Sequence, residues 1–182
     1  MMDPIRELKI RAEVLQTRLA SGDAESLSRL RALPELRRAG AAALASMARE
    51  IHRKHCLAVV ARECGFSNWE HARRVLEGDP GEKDLGTLLY GADSRGMLNL
   101  WYSVYDEARA VLEMTPDDSG RRYLLAYKRD FFVVDRHFVE TLGIAPDDPD
   151  WQAIAWDWAR PADPDARRRL YCKRLAALRG KR

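Results

Sequence analysis

The order of apolar and polar positions predicts helices over the first eighty residues. Asp3 and Pro4 supply an N-cap and a proline at the first helical position. Apolar side chains then recur every three or four residues and share one helix face: Ile5, Leu8, Ala12, Leu15 and Leu19. A short helix ending at Pro34 follows. The alanine-rich stretch over residues 35–51 has a high helix propensity, so it also predicts helix.

Two helices joined by a tight corner are predicted between residues 56 and 77. Residues 56–63 are apolar enough for a buried helix, and Gly65 fits its C-terminal stop. Ser67 and Glu70 have the spacing of a capping box, which predicts that Ser67 is the N-cap of the second helix.

The second half of the chain mixes helix and strand patterns. Glycines cluster over residues 78–96, which predicts a boundary between two halves. A long helix is predicted over residues 97–114, because Leu98, Trp101 and Tyr105 share one face at helical spacing. Two β-prone runs over residues 123–134 then predict a β-hairpin.

The remaining segments predict short helices and a basic C-terminal helix. A helix over residues 137–142 is closed by Gly143. Trp151 and Trp158 are seven residues apart, which places them on one helical face. The sequence therefore predicts a mainly α fold, with a helical module over residues 1–80. A helical domain over residues 84–182 carries the hairpin and the basic helix.

Composition narrows the class of protein. The chain has 182 residues, of which 46% are hydrophobic and 32% are charged, as in an ordinary globular domain. No apolar run approaches the about 20 residues that a membrane-spanning helix needs, and no signal-peptide pattern begins the chain. Three cysteines without framework spacing predict a reduced, cytoplasmic protein with no disulfide scaffold.

Charge is distributed unevenly along the chain. Residues 81–165 hold 9 basic and 17 acidic side chains, whereas residues 166–182 hold 8 basic and no acidic ones. The net charge of +3 therefore hides an acidic body with one basic helix. Two interpretations remain open: the basic helix binds an acidic partner, such as nucleic acid phosphates, or it neutralises the acidic region within the chain or in a dimer.

Candidate partner-binding residues come from two features. Tryptophan is enriched in interaction hot spots and is also a common core residue. Of the three tryptophans over residues 151–158, Trp156 lies off the stripe of the other two, so we expect it to be the exposed one. The basic helix supplies the other candidates: Arg167, Arg168, Arg169, Lys173 and Arg174.

Catalytic and metal-binding chemistry finds little support. The chain has no Gly-x-Ser-x-Gly, phosphate-binding glycine loop or His-Glu-x-x-His motif, so no catalytic residue and no cofactor are predicted. His52 and Cys56 share a helix face, with His55 and Cys64 nearby, but they lack the paired spacing of a zinc site. Asp135, which precedes His137, is expected to cap a helix.

The helical pair offers two further interpretations. Residues 60–67 match the first helix and turn of a helix-turn-helix motif. The next helix has His71 and Arg74 where apolar residues belong, which favours a plain packed pair. Residues 57–72, LAVVARECGFSNWEHA, resemble instead the AREhGFxSW-type module near the N-termini of some bacterial ankyrin-repeat and glyoxalase-related proteins. That resemblance covers residues 5–78 and implies a helical accessory module rather than an activity.

Three functional hypotheses follow from these patterns. The first is a bacterial-type interaction or scaffold protein without enzymatic activity, which binds a protein partner or a second copy of itself and no membrane. The second is a nucleic-acid-binding protein that uses the basic helix, alone or together with the helical pair over residues 56–77. The third is an enzyme whose site has no recognised motif.

Overall fold

The described part of the chain folds into mainly α-helical structure with one small antiparallel sheet. The structure, a computed structural model, describes residues 3–91, 96–114 and 120–179. Contacts divide the chain into two compact units. The first is Ile5–Arg73, and the second holds the described residues from Arg74 onward together with Asp3 and Pro4.

The first unit is helical throughout. Its helices are α1 (Pro4–Ala20), α2 (Ala24–Arg29), α3 (Ala41–Met47), α4 (Arg53–Glu63) and the start of α5 (Trp69–Glu77). Short 3-10 turns lie at Leu30–Ala32, Pro34–Leu36 and Ala48–Glu50. The apolar stripe predicted for α1 is buried at all five positions, which confirms that burial of one helix face organises this unit.

The alanine-rich segment is less helical than its propensity predicts. Only α3 forms an α-helix within residues 35–51. Gly40 lies before it in an extended conformation, with ψ of 164°, and Ala48–Glu50 tightens into a 3-10 turn. Helix propensity is a weak preference that tertiary context overrides, and Leu44 is the residue of α3 that is buried.

The corner between α4 and α5 follows the prediction except for its cap. Gly65 has φ of +87°, a conformation that glycine adopts without strain. The prediction that Ser67 caps α5 was wrong, because Asn68 is the cap: its Oδ1 accepts the His71 backbone N–H at 2.8 Å. The Nδ1 atom of His71 in turn accepts the Ser67 backbone N–H at 3.1 Å, which is the bond that Glu70 was expected to make.

The second unit contains the sheet, whose strands are β1 (Leu100–Tyr102), β2 (Tyr123–Tyr127) and β3 (Asp130–Val134). The order is β1-β3-β2 and both pairings are antiparallel. The helices of this unit are α6 (Tyr105–Glu113), α7 (Arg136–Thr141), α8 (Pro149–Ala153) and α9 (Pro164–Arg179), which follow the end of α5.

The predicted hairpin is confirmed, whereas the predicted long helix over residues 97–114 was wrong. Residues 100–102 pair with β3 as an edge strand, and α6 begins only at Tyr105. Leu-Trp-Tyr is a strand-favouring tripeptide, and the hydrogen bonds available along β3 decide its conformation. The sequence of this segment was ambiguous because β1 has only three residues, too few to show the alternation of exposed and buried positions that marks a strand.

Each face of the sheet packs on different elements. Trp101, Phe132 and Leu125 lie opposite one another and therefore share a face. The other face carries Leu124 and Val133, which pack with Ala108 of α6. On the first face, aromatic rings continue from Phe132 to Phe138 of α7, and from Tyr123 through Trp151 and Trp158 to Tyr171 of α9.

The tryptophan-rich segment leaves its helix earlier than predicted. Helix α8 ends at Ala153, so Trp151 and Trp158 do not share a helical face. Both are nevertheless buried, because the chain turns at Ala155 and Trp156 and then bonds to β2 through Leu124. Among the described residues, no helix has the combination of length and apolar sequence that crossing a bilayer requires.

Candidate interaction site

Two arginines of the predicted basic face are buried in the second unit. Arg167 donates from Nη1 to the carbonyls of Trp158 at 3.2 Å and Ala159 at 3.4 Å. Arg174 donates to the carbonyls of Leu88 at 3.1 Å and Leu142 at 2.9 Å. These guanidinium groups satisfy buried carbonyls, so Arg167 and Arg174 do not belong to a solvent-exposed basic face.

Two more of the candidate residues hold the acidic start of α8. Arg169 donates two hydrogen bonds to Oδ1 of Asp150, at 2.8 and 2.6 Å. Lys173 reaches Oδ2 of Asp150 at 2.7 Å and both oxygens of Asp148. Burial acts to raise the pKa of Asp150, but the hydrogen bonds from Arg169 and Lys173 outweigh it and hold that pKa below its usual value.

The basic helix therefore neutralises acidic groups within its own unit. Arg168 has a half-exposed side chain 3.3 Å from Asp165, an acidic residue of the same helix. The charge pattern left two interpretations open. For Arg169 and Lys173, the contacts agree with neutralisation of acidic residues within the chain.

Trp156 is the partly exposed tryptophan of its segment, whereas Trp151 and Trp158 are fully buried. Ala155 and Trp156 have φ of 54° and 55°, a left-handed conformation that is strained for residues other than glycine. The guanidinium of Arg121 lies 4.0 Å above the Trp156 ring. The left-handed backbone and the contact with Arg121 together hold this ring at the surface.

A cavity of about 360 Å³ opens beside the Trp156 ring, between α8 and the ends of β2 and β3. We call it the Trp156 pocket. Its polar lining residues are Arg121, Arg122, Asp135, Arg136, Asp147, Asp148 and Gln152. Asp148 connects the pocket to Lys173, so Trp156 and part of the basic helix are neighbours in the fold.

A second surface, which was not predicted from the sequence, lies at the edge of the sheet. Four large apolar side chains around β1 are exposed: Leu98 at 98%, Leu100 at 45%, Trp101 at 44% and Val104 at 48%. We call these four residues the β1 surface. Single exposed apolar residues are ordinary, but four within residues 98–104 make this strand a candidate interaction site. The strand propensity of residues 100–102 is the signal that could have revealed it.

Trp101 is held rigidly in this surface. Its ring stacks on Phe132 at 4.7 Å between ring centroids, with an interplanar angle of 17°. Tyr90 and Tyr127 meet it edge-on at 5.5 and 5.7 Å. An aromatic side chain that is already ordered loses little conformational entropy when it binds a partner.

The backbone of β1 adds directional groups to the apolar ones. Within the described part of the chain, β1 pairs with β3 on one side, and no strand pairs with its other side. An edge strand presents N–H and C=O groups outward, and natural edges are usually protected by lysine, proline or a bulge. The sequence Leu100–Tyr102 contains no charge and no proline.

The cysteines and histidines do not form a metal site in the described residues, where no group of three or more potential ligands comes together. Cys56 and Cys64 are buried, and burial raises the pKa of the Cys56 thiol. The Nδ1 atom of His55 instead accepts the backbone N–H of His52 at 3.0 Å, at the start of α4.

Comparisons with known proteins give no relative for this chain. No protein-family model matches it, and neither the curated proteins nor the solved structures include a match. The resemblance to the helical accessory module therefore stays a prediction that rests on the residues of the first unit.

Proposed function

We propose that this protein is a non-enzymatic interaction module that binds an extended, apolar segment of a partner protein along β1. The observation that supports the proposal is the β1 surface, where four exposed apolar side chains lie on and beside a strand that pairs on one side only within the described residues. A partner segment in a β conformation would extend the sheet by one strand.

The chemistry of the edge favours an extended segment over a helix. Outward backbone groups of β1 need donors and acceptors at the spacing of a neighbouring strand. Apolar side chains on alternate positions of the partner would cover Leu100 on one face and Trp101 on the other. A docked helix would cover the side chains and leave the backbone groups of β1 without partners.

The proposal is preferred to nucleic-acid binding because of how α9 uses its charges. Arg167 and Arg174 bond to backbone carbonyls, and Arg169 and Lys173 bond to carboxylates of the same unit. Phosphates would have to compete with these charge-assisted bonds. By contrast, the side chain of Leu98 in the β1 surface is almost fully exposed and open to a partner.

A selection from a random peptide library displayed on phage tests the proposal with the full chain as bait. We expect enriched peptides with alternating apolar residues. Their synthetic versions should lose binding when backbone amides on one edge are methylated, since methylation removes the donors that pair with β1. Leu98→Ser should weaken binding at least several-fold without changing the melting temperature, because exposed substitutions scarcely affect stability.

Met114→Ser is the matched control, because Met114 is 80% exposed but lies at the far end of α6 from β1. This variant should bind the peptides as the wild type does. Equal binding by Leu98→Ser, or equal loss with Met114→Ser, would contradict the proposal. Sedimentation analysis covers the remaining alternative: self-association that Leu98→Ser abolishes would identify a second copy of this chain as the occupant.

A further inference from the structure

We infer that the Trp156 pocket binds a small organic anion, whose carboxylate or phosphate group is held by Arg122 and Arg136 and whose body lies beside Trp156. The pocket shares no residue with the β1 surface, so this inference stands apart from the proposed function. Its volume of about 360 Å³ lies in the range of ligand sites in proteins.

Among the described residues, the lining provides a cation, Arg122, without a hydrogen-bond or ion-pair partner. Arg122 is half-buried and makes no hydrogen bond or ion pair with any residue that the structure describes, although it lies next to β2. Of the other two arginines, Arg121 stacks on Trp156, and Arg136 lies 3.8 Å from Glu140, which is outside the pocket lining. A guanidinium offers paired N–H donors that match the geometry of a carboxylate or phosphate.

Two of the acidic residues of the lining make contacts outside it. Asp148 accepts hydrogen bonds from Lys173, and Asp135 accepts the Phe138 N–H as the cap of α7. The lining thus carries three arginines and three aspartates, and of these aspartates Asp148 is also paired with Lys173 outside the lining. Burial raises the pKa of Tyr123, while Arg136 and Arg121 each oppose that rise more strongly than Asp147 adds to it.

The backbone supports a binding role for the aromatic wall. Two successive residues other than glycine are held at positive φ, and together they turn the Trp156 ring into the pocket lining. A glycine at either position would relieve this strain, and strained backbone of this kind concentrates at ligand sites. This strain is explained if the position of the Trp156 ring matters more for ligand binding than the turn does for local stability.

Nuclear magnetic resonance titration of the full chain tests the inference with three probes of similar size: phenyl phosphate, benzoate and benzylamine. The indole N–H signal of Trp156, assigned with Trp156→Phe, reports on the pocket. We expect at least one anionic probe to give a saturable shift with a Kd of about 1 mM or tighter, and benzylamine to give none. The ranking of the two anions tells whether a phosphate or a carboxylate is preferred.

Arg122→Gln should weaken binding of the anionic probe about tenfold, since it removes a charge-assisted pair of hydrogen bonds. Arg168→Gln is the matched control, because Arg168 is a half-exposed arginine outside the pocket, and it should not change the affinity. Leu98→Ser should also leave probe binding intact, which separates failure here from failure of the proposed function. Comparable binding of benzylamine, unchanged affinity in Arg122→Gln, or no saturable shift with either anion would overturn the inference.

Discussion

The hydroxyl of Tyr105 donates a hydrogen bond of 2.5 Å to Oδ2 of Asp157, a carboxylate with no solvent exposure. Arg109 donates to the same oxygen at 3.3 Å, and the backbone N–H of Arg160 donates to Oδ1 at 2.9 Å. The guanidinium of Arg160 lies 3.7 Å above the Tyr105 ring. This network ties α6 to the turn that follows α8.

Tyr105→Phe should therefore lower the free energy of unfolding by about 1.5–3 kcal/mol, the usual range for a hydrogen bond to a charged group. Urea denaturation followed by circular dichroism measures this change. Tyr102→Phe is the control, because the Tyr102 hydroxyl makes no hydrogen bond with the described residues and its removal should change stability by less than about 0.5 kcal/mol. Equal effects of the two substitutions would contradict the role given to Asp157.

The same pair predicts a loss of stability in alkali. Burial, together with the hydrogen bond to Asp157, raises the pKa of Tyr105 well above its usual value. A group whose pKa is higher in the folded state stabilises the fold below its unfolded pKa of about 10, and this contribution declines as the pH rises further. The stability difference between the wild type and Tyr105→Phe should therefore narrow above about pH 10, as measured by urea denaturation across that range.

The pairing of Asp150 should give the opposite pH dependence, in which the protein loses stability in acid. The pKa of Asp150 is held down in the folded state by Arg169 and Lys173, against the effect of burial. Its contribution is complete above its unfolded pKa of about 4 and declines as the pH falls through the folded value. Asp150→Asn should destabilise the protein by about 1.5–3 kcal/mol at neutral pH, and by progressively less below about pH 4.

Thermal melting at several pH values checks the Asp150 prediction. Asp165→Asn serves as the control because the Asp165 and Arg168 side chains are 60% and 38% exposed. Exposed ion pairs of this kind contribute little to stability. A constant stability difference between Asp150→Asn and the wild type from neutral to acidic pH would be inconsistent with the pairing described for α8 and α9.

A substitution of Gly143 should disrupt packing against a distant helix, which its position in the sequence alone would not reveal. Gly143 closes α7 with φ of +73°, and a Cβ atom there would overlap the Cβ of Ala177 on α9. Left-handed strain alone lowers the free energy of unfolding by about 1–2 kcal/mol. Gly143→Ala should lower it further, because α7 and α9 must also move apart. Gly96→Ala isolates the strain, since Gly96 has φ of +90° and open space around it. Melting temperatures of the two variants that fall equally would refute the close approach.

Local patterns were sufficient to predict several elements. The stripe from Ile5 to Leu19 has the helical period, and each of its members is buried. The β2–β3 hairpin was predicted because two strand-favouring runs are separated by a short polar turn, where Lys128 adopts φ of 54°. Asp135 caps α7 as expected, since its carboxylate accepts the Phe138 N–H at 3.0 Å. These features depend on residues close together in the sequence.

The features that were missed depend on distant parts of the chain. Strand β1 exists because β3 offers it hydrogen bonds, while the spacing of Leu98, Trp101 and Tyr105 also fits a helix. Arg174 was assigned to an exposed face because arginine is rarely buried without partners. Its partner, the carbonyl of Leu88, lies 86 residues earlier in the sequence. The β1 surface and the Trp156 pocket likewise require the tertiary fold.

Arg174 provides the clearest distinction between a structural role for α9 and nucleic-acid binding. Arg174→Gln removes the guanidinium that bonds the carbonyls of Leu88 and Leu142, and it should destabilise the protein by about 2–4 kcal/mol because these buried groups lose their donors. Arg168→Gln should change stability by less than about 0.5 kcal/mol. Urea denaturation measures both variants, and binding of labelled duplex and single-stranded DNA at low salt is measured in parallel. If α9 instead serves to contact phosphates, DNA binding should be detectable, should weaken steeply with salt, and should be reduced by Arg168→Gln while the fold stays intact.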